Sequence, residues 1–205
     1  QMIGDSSSNN FFGVAYEMTS SFGGDDSVTA NGDFNSLFGE ASSMTSSFGG
    51  DDSLTANGEF FNLLSGDAFS MTLSTGGDDS LTVNGGSVSN TLVGDGNSMD
   101  SSIGGDDSLT VNGGLQNFLY GDGETMDNSI GGNDRLVGGT GTNYIYGDAR
   151  QMTGASEGGD DVLFAGTGSN FMYGDGDPQI TTSDSVGGND RLITTTGGQG
   201  STYKL

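Results

Sequence analysis

The phrase Gly-Gly-(Asp/Asn)-Asp recurs seven times in this chain of 205 residues. Its second acid falls at Asp26, Asp52, Asp79, Asp107, Asp134, Asp161 and Asp190, at intervals of 26 to 29 residues. Other residues keep the same beat. An Asn returns at Asn9, Asn35, Asn62, Asn90, Asn117, Asn143 and Asn170, and a Gly at Gly13, Gly39, Gly66, Gly94, Gly121, Gly147 and Gly174. A Met returns at Met18, Met44, Met71, Met99, Met126 and Met152, with Ile180 next in that series. Self-similarity of this kind marks an array of small units, none of which buries a core alone.

Each repeat carries three apolar anchors. The first follows the acidic phrase (Val28, Leu54, Leu81, Leu109, Leu136, Leu163, Leu192), with Met2 in phase. The second lies two residues after the recurring Asn (Phe11, Leu37, Leu64, Leu92, Leu119, Ile145, Met172), and the Met series is the third. Around the anchors, as in Asp107-Ser108-Leu109-Thr110-Val111, polar and apolar residues alternate with the period of a strand, not of a helix. The expectation is an all-β fold, a parallel β-solenoid (β-roll or β-helix) of about eight coils of about 27 residues, without caps. It forms one domain over 1–205, with coils starting near 1, 23, 49, 76, 104, 131, 158 and 187. Three short strands per coil fit the period, and a two-sided coil is the alternative. At ~4.8 Å per stacked strand the rod would be roughly 40 Å long.

Composition bounds the chemistry. There are 28 acids against 4 bases, a formal charge of −24, and no Cys, His or Trp. A Ser-His-Asp triad, a Cys nucleophile and the usual zinc, haem and iron–sulfur sites are thereby excluded. Nucleic acid and anionic membrane both require Lys and Arg to meet phosphate, so neither is an expected partner. No apolar run is long enough to insert into a bilayer.

Stacking puts residues one period apart about 4.8 Å from each other. The acids from Asp26 to Asp190 then form one column of like charge. A second column follows the recurring Gly: Asp67, Asp95, Asp122, Asp148 and Asp175, with Glu40 and Val14 departing from Asp at that place. Read as surface corners, these carboxylates stay ionised at neutral pH. Four bases cannot neutralise them. Divalent cations can, and Ca²⁺ takes six to eight oxygens from carboxylates and backbone carbonyls, which acidic glycine turns supply. Both columns are therefore the candidate metal ligands. A solvated acidic surface is the alternative. The recurring Asn is read as an amide ladder hydrogen-bonded along the axis, and the Met series as core filling.

The stretch GGNDRLVGGTGTNYIYGDARQM, residues 131–152, resembles the RTX (haemolysin-type) calcium-binding nonapeptide repeat, GGxGxDxUx. Gly132, Asp134 and Leu136 match one copy; Gly138, Gly139, Gly141 and Ile145 match the next. Asn143 stands where that family has Asp, and the first four repeats read Asn-Gly before the second strand. The resemblance implies Ca²⁺ bound between coils of a parallel β-roll, in a secreted bacterial protein that folds on meeting external calcium.

The functional expectation is thus a secreted or cell-surface calcium-binding solenoid, not an enzyme, serving as an extracellular filament, surface layer or adhesin stalk. Tyr120, Tyr146 and Tyr173, with Phe12 and Phe38 in register, form an aromatic column; Thr29, Thr55, Thr82 and Thr110, with Asn31, Asn57, Asn84 and Asn112, should face outward. Those columns support an alternative, a module that binds ice or a polysaccharide, although the Thr series fails at Val137 and Phe164. The repeat part of a larger secreted enzyme is a third reading. Residues 1–13 align with 27–39, and the bases Arg135, Arg150, Arg191 and Lys204 cluster towards the tail, so self-association head to tail is the expected contact.

Overall fold

The computed structural model describes residues 1–85, 88–182 and 184–194, and the backbone of Thr202–Lys204. The chain winds into a parallel β-solenoid of about seven turns of about 27 residues, with no helix among the described residues. Each turn is three-sided, which decides against the two-sided coil. The first face stacks eight strands, among them Ser53–Ala56 and Ser80–Val83; the second stacks eight, among them Phe61–Ser65 and Ser89–Val93; the third stacks six, from Glu17–Thr19 to Ala149–Thr153. Every pairing is parallel and joins residues of equal phase, as in Leu54↔Leu81 and Asn62↔Asn90. A fourth column, of single bridges only, runs Phe22, Phe48, Thr75, Ile103, Ile130, Glu157 and Val186.

All three anchor series point inward. From Val28 to Leu163, from Leu37 to Met172 and from Met44 to Met152, each is at most 1% exposed. The first two series pack together with Ala30, Ala56, Val83 and Val111 into one core, while the Met series packs with Ala41, Ala68 and Ala149 into another. Flexible thioethers fill the narrower part, where a glycine or alanine is the facing residue.

The Asn series forms the expected ladder. Each amide donates to the next, from Asn9 Nδ2 to Asn35 Oδ1 (2.9 Å) through to Asn143 Nδ2 to Asn170 Oδ1 (2.8 Å), and all seven side chains are buried. The same amides clamp the corner between the first and second faces, as Asn117 Nδ2 does by donating to the Gly113 carbonyl at 3.0 Å. Outside that corner lies a second amide ladder: Asn57 donates to Asn31, Asn84 to Asn57 and Asn112 to Asn84, at 2.7 to 3.0 Å.

Two features had no counterpart in the sequence reading. The corner after the third face is left-handed in turn after turn, at Ser20, Ser46, Leu73, Ser101 and Asn128 (φ 49° to 52°) and then at Gly154 (φ 64°). A serine column follows it. Ser47, Ser74, Ser102, Ser129 and Ser156 each accept the backbone N–H of the serine one turn earlier at 3.1 to 3.2 Å.

Ile180 departs from expectation. It is 39% exposed and does not extend the Met series. This turn is longer, and after Pro178 the chain coils tightly, with the N–H groups of Ile180 and Thr181 both donating to the Asp177 carbonyl. Thr182 N–H then donates to the Met152 carbonyl at 2.9 Å, so a turn rather than a strand lies over the last strand of the third face.

Two stability tests follow from these ladders. Leu73 is 63% exposed and holds a backbone shape that costs a non-glycine residue about 1 kcal/mol. Leu73→Gly should therefore raise the urea midpoint, by about that amount of stability. Asn117→Ala removes the acceptor of Asn90 Nδ2 and the donor to Asn143 Oδ1, and should cost about 2–4 kcal/mol in the same denaturation assay.

Candidate functional site

The acidic phrase sits between the bridge column and the first face, and strand alternation decides where its two acids go. Leu54 points inward, Ser53 outward, and Asp52 inward again. The second acid of each phrase is thus buried: Asp52, Asp79, Asp107, Asp134 and Asp161 are 1–2% exposed, while Asp26 and Asp190 at the two ends of the series are half-buried. Asp67, Asp95, Asp122 and Asp148 are completely buried, as is Glu40, and Asp175 is half-buried. Val14, in the same position as Glu40 one turn earlier, is 50% exposed. Both columns were expected on the surface. They are instead interior, because the corners that carry them fold inward against each other.

The two columns are locked reciprocally into each other's glycines. In the first, one oxygen accepts the backbone N–H of the preceding acid: Asp26 N–H donates to Asp52 Oδ1, Asp52 to Asp79, Asp79 to Asp107 and Asp107 to Asp134, at 2.6 to 2.7 Å. The other oxygen faces the glycine of the opposite corner. A Cβ built on Gly66 would land on Asp79 Oδ2 and on the Gly94 carbonyl oxygen, so only glycine leaves that space open. In the second column, the carboxylates take N–H donors from the acidic phrase. Gly50 donates to Glu40 Oε1 (3.0 Å), Gly105 to Asp95 Oδ1 (3.0 Å), Gly132 to Asp122 Oδ1 (2.8 Å) and Gly159 to Asp148 Oδ1 (2.7 Å). This acidic wall lies between the leucine core and the methionine core.

Among the described residues no base pairs with these acids. Among the described residues the one ion pair is Arg150 with Glu124 on the surface (3.0 Å), and Arg135 stacks over the Phe164 ring at 4.7 Å. Nine buried carboxylate oxygens have no hydrogen-bond partner: Glu40 Oε2, Asp67 Oδ1, and the Oδ2 atoms of Asp52, Asp79, Asp107, Asp122, Asp134, Asp148 and Asp161. Burial foremost, and repulsion from neighbouring carboxylates after it, raises the proton affinity of both columns. Glu40 moves up to about 7 and Asp52, Asp67 and Asp161 to about 8, while Asp95, Asp107, Asp122 and Asp134 rise well above the usual carboxylate range. Burial thus favours the protonated form of these carboxyls at neutral pH.

The donors the arrangement offers are oxygens alone. Orphaned carboxylate oxygens lie close against backbone carbonyls across the glycines, as Asp79 Oδ2 does against the Gly94 carbonyl at Gly66. No three acid side chains among the described residues gather into a metal cluster.

The first acid of the phrase has its own, separate place. Asp25, Asp51, Asp78, Asp106 and Asp160 form an exposed column in which each carboxylate accepts the backbone N–H of the next turn, as Asp78 Oδ1 does from Asp106 at 2.9 Å. Asn133 and Asn189 break the run of charge there, donating to Asp106 and Asp160 at 3.1 Å. The Asp/Asn ambiguity of the motif is thus a matter of the outer column only.

Tyr120 and Tyr146 are buried at the corner and stack on each other and on Tyr173 at 5.4 and 4.9 Å, and Phe12 stacks on Phe38 at 5.0 Å. Packing is their evident role. No protein-family model matches the chain, and no curated protein or solved structure matches it.

The raised acids give a signed pH dependence. Unfolded, they would lose their protons near 4; folded, Glu40, Asp52, Asp67 and Asp161 hold them to about 7–8. With divalent cations chelated, the folded chain binds more protons, and its stability should fall as pH rises across that window. Urea unfolding in chelator at pH 5 and pH 8 checks this, the midpoint being higher at pH 5.

Proposed function

We propose that this chain is a secreted, calcium-loaded β-solenoid of the RTX kind, with a structural role outside the cell, as a filament, surface layer or adhesin stalk. The nine partnerless, buried carboxylate oxygens support this reading most directly. Buried charge without a partner is not tolerated at the scale of two whole columns, and the bases needed to pair it are not there. Protons could also neutralise the columns, each protonated carboxyl then donating its O–H to a facing carbonyl, as Asp79 would to Gly94. A divalent ion satisfies carboxylate and carbonyl together.

In this reading the ligands are Asp52, Asp79, Asp107, Asp134 and Asp161 from one column and Asp67, Asp95, Asp122 and Asp148 from the other, with Asp26, Asp175 and Asp190 at the ends of the series. Bound calcium supplies the positive charge that lets like carboxylates stack at strand spacing. Sites assembled from few carboxylates and neutral carbonyls suit the high calcium concentrations outside cells. Because the ligands are brought together only by coiling, ion binding and folding are one equilibrium.

The Asp107→Asn variant separates this reading from a purely protonated interior. It removes one buried charge while keeping shape, so it should stabilise the chain in chelator. In calcium it should lose about one site's share of the metal-induced rise in melting temperature, and isothermal titration should count fewer ions. Wild-type protein whose stability and β-signal do not respond to calcium at neutral pH would refute the proposal.

A further inference from the structure

Seven of the eight strands of the second face, from Ser8–Phe12 to Asn170–Tyr173, contain no charged residue, in a chain of net charge −24; the eighth, Thr202–Lys204, carries Lys204. The first face carries Arg135 and Arg191 and borders the exposed acid column; the third carries Glu17, Asp100, Glu124, Asp127 and Arg150. Asp33 and Glu59 stand only at the rim of the second face. Two large apolar residues on it stand in water: Phe34 is 46% and Phe61 49% exposed.

Size is distributed along this face in a regular way. The middle outward column runs Asn10, Ser36, Leu63, Thr91, Phe118, Tyr144 and Phe171, small in the early turns and aromatic in the late ones. The column beside it runs Ser8, Phe34, Phe61, Ser89, Gln116 and Thr142, with its two aromatics in the second and third turns. A groove of about 410 Å³ lies over the early turns, between Ser36 and Thr91 on one side and Phe34 and Phe61 on the other. The late turns bear the ridge Phe118–Tyr144–Phe171, its rings stacked at 5.0 Å.

We propose that the second face is the interface of a two-fold, antiparallel dimer of this chain. A two-fold axis lying along the strand of Thr91 pairs turn with turn in reverse order. Tyr144 of one copy then meets Ser36 of the other, and Phe171 meets Asn10. In the adjacent column Phe34 meets Thr142 and Phe61 meets Gln116. Large faces small in these four contacts, while Leu63 meets Phe118 as an apolar pair beside the axis, and each contact occurs twice, as an isologous interface requires. Uncharged surface is also where two polyanions approach at least cost. At β-sheet spacings the face offers about 500 Å² of flat area per copy, which brings the pair to the ~1,000 Å² that a specific interface needs. A glycan fits less well: it stacks on the flat faces of rings, and here those faces cover one another, with interplanar angles of 11° and 8°, leaving edges outward.

The chain has no Cys, so Thr91→Cys supplies a lone thiol at the proposed axis. With a short bis-maleimide it should cross-link into a dimer, whereas Thr55→Cys on the first face should not. Sedimentation should show a dimer for the wild type, weakened at least tenfold by Tyr144→Lys and by Ser36→Arg, with the β-signal in circular dichroism retained. Runs are made in calcium and in chelator on samples checked for β-signal. A folded wild-type monomer overturns the dimer and leaves the calcium reading untouched, since the second face contains none of the proposed ligands. Equal cross-linking at both thiols, or a monomer that takes up soluble β-glucan, overturns it as well.

Discussion

Parallel stacking of like on like at the spacing of β-strands is the constraint on which this fold rests. Each residue sees its own counterpart one turn above and one turn below, as the registers Leu81↔Leu109 and Asn90↔Asn117 show. A side chain is therefore selected for how well it tolerates copies of itself. Leucines and methionines do so by dispersion and exclusion of water. Asparagine does so because its amide is donor on one side and acceptor on the other. Serine joins a backbone N–H of one turn to its own turn's carbonyl, as Ser74 Oγ accepts from Ser47 and donates to the Thr72 carbonyl. Aromatic rings stack. Aspartate alone has no self-complementary arrangement, and it occupies two buried columns.

How legible this was in the sequence follows from the same rule. The apolar anchors and the inner Asn ladder are plain because stacking demands one residue type per position and strand alternation sets its side. The inward turn of the acids obeys that alternation too, since Asp52 shares the parity of Leu54; hydropathy argued for the surface and was overruled by geometry. The left-handed corner was not legible, because Ser46, Leu73, Ser101 and Asn128 share a backbone shape and no side-chain chemistry, with glycine marking it only at Gly154. Ile180 misled for a different reason. Spacing placed it in the Met series, but a lengthened turn with Pro178 withdrew the N–H groups that a strand would have used.

The reciprocity of the two acid columns has a consequence for cooperativity. Asp107 Oδ1 holds the backbone of Asp79, while its Oδ2 lines the space kept open by Gly94; Asp95, next to that glycine, holds the backbone of Gly105 in the acidic phrase that ends at Asp107. Each carboxylate thus touches two corners and two turns. Neutralising one removes repulsion for its neighbours along its own column and across the wall. Loading should propagate as nearest-neighbour coupling along a one-dimensional array, the same form that governs the stability of stacked repeats.

The division of the core gives that coupling structural weight. Leucine anchors of the first two faces form one apolar body and the methionines another, and the acidic wall lies between them. Neither body closes a turn alone: the leucine part lacks its third side, and the methionine part is a single sheet with alanines behind it. The wall is what joins them, through the N–H donors that Gly50, Gly77, Gly105, Gly132 and Gly159 direct at the carboxylates of the opposite corner. Ionised and bare, the wall would drive the two bodies apart; neutralised, it completes the cross-section. The charge state of these columns, as well as the two apolar parts, therefore bears on how each turn closes.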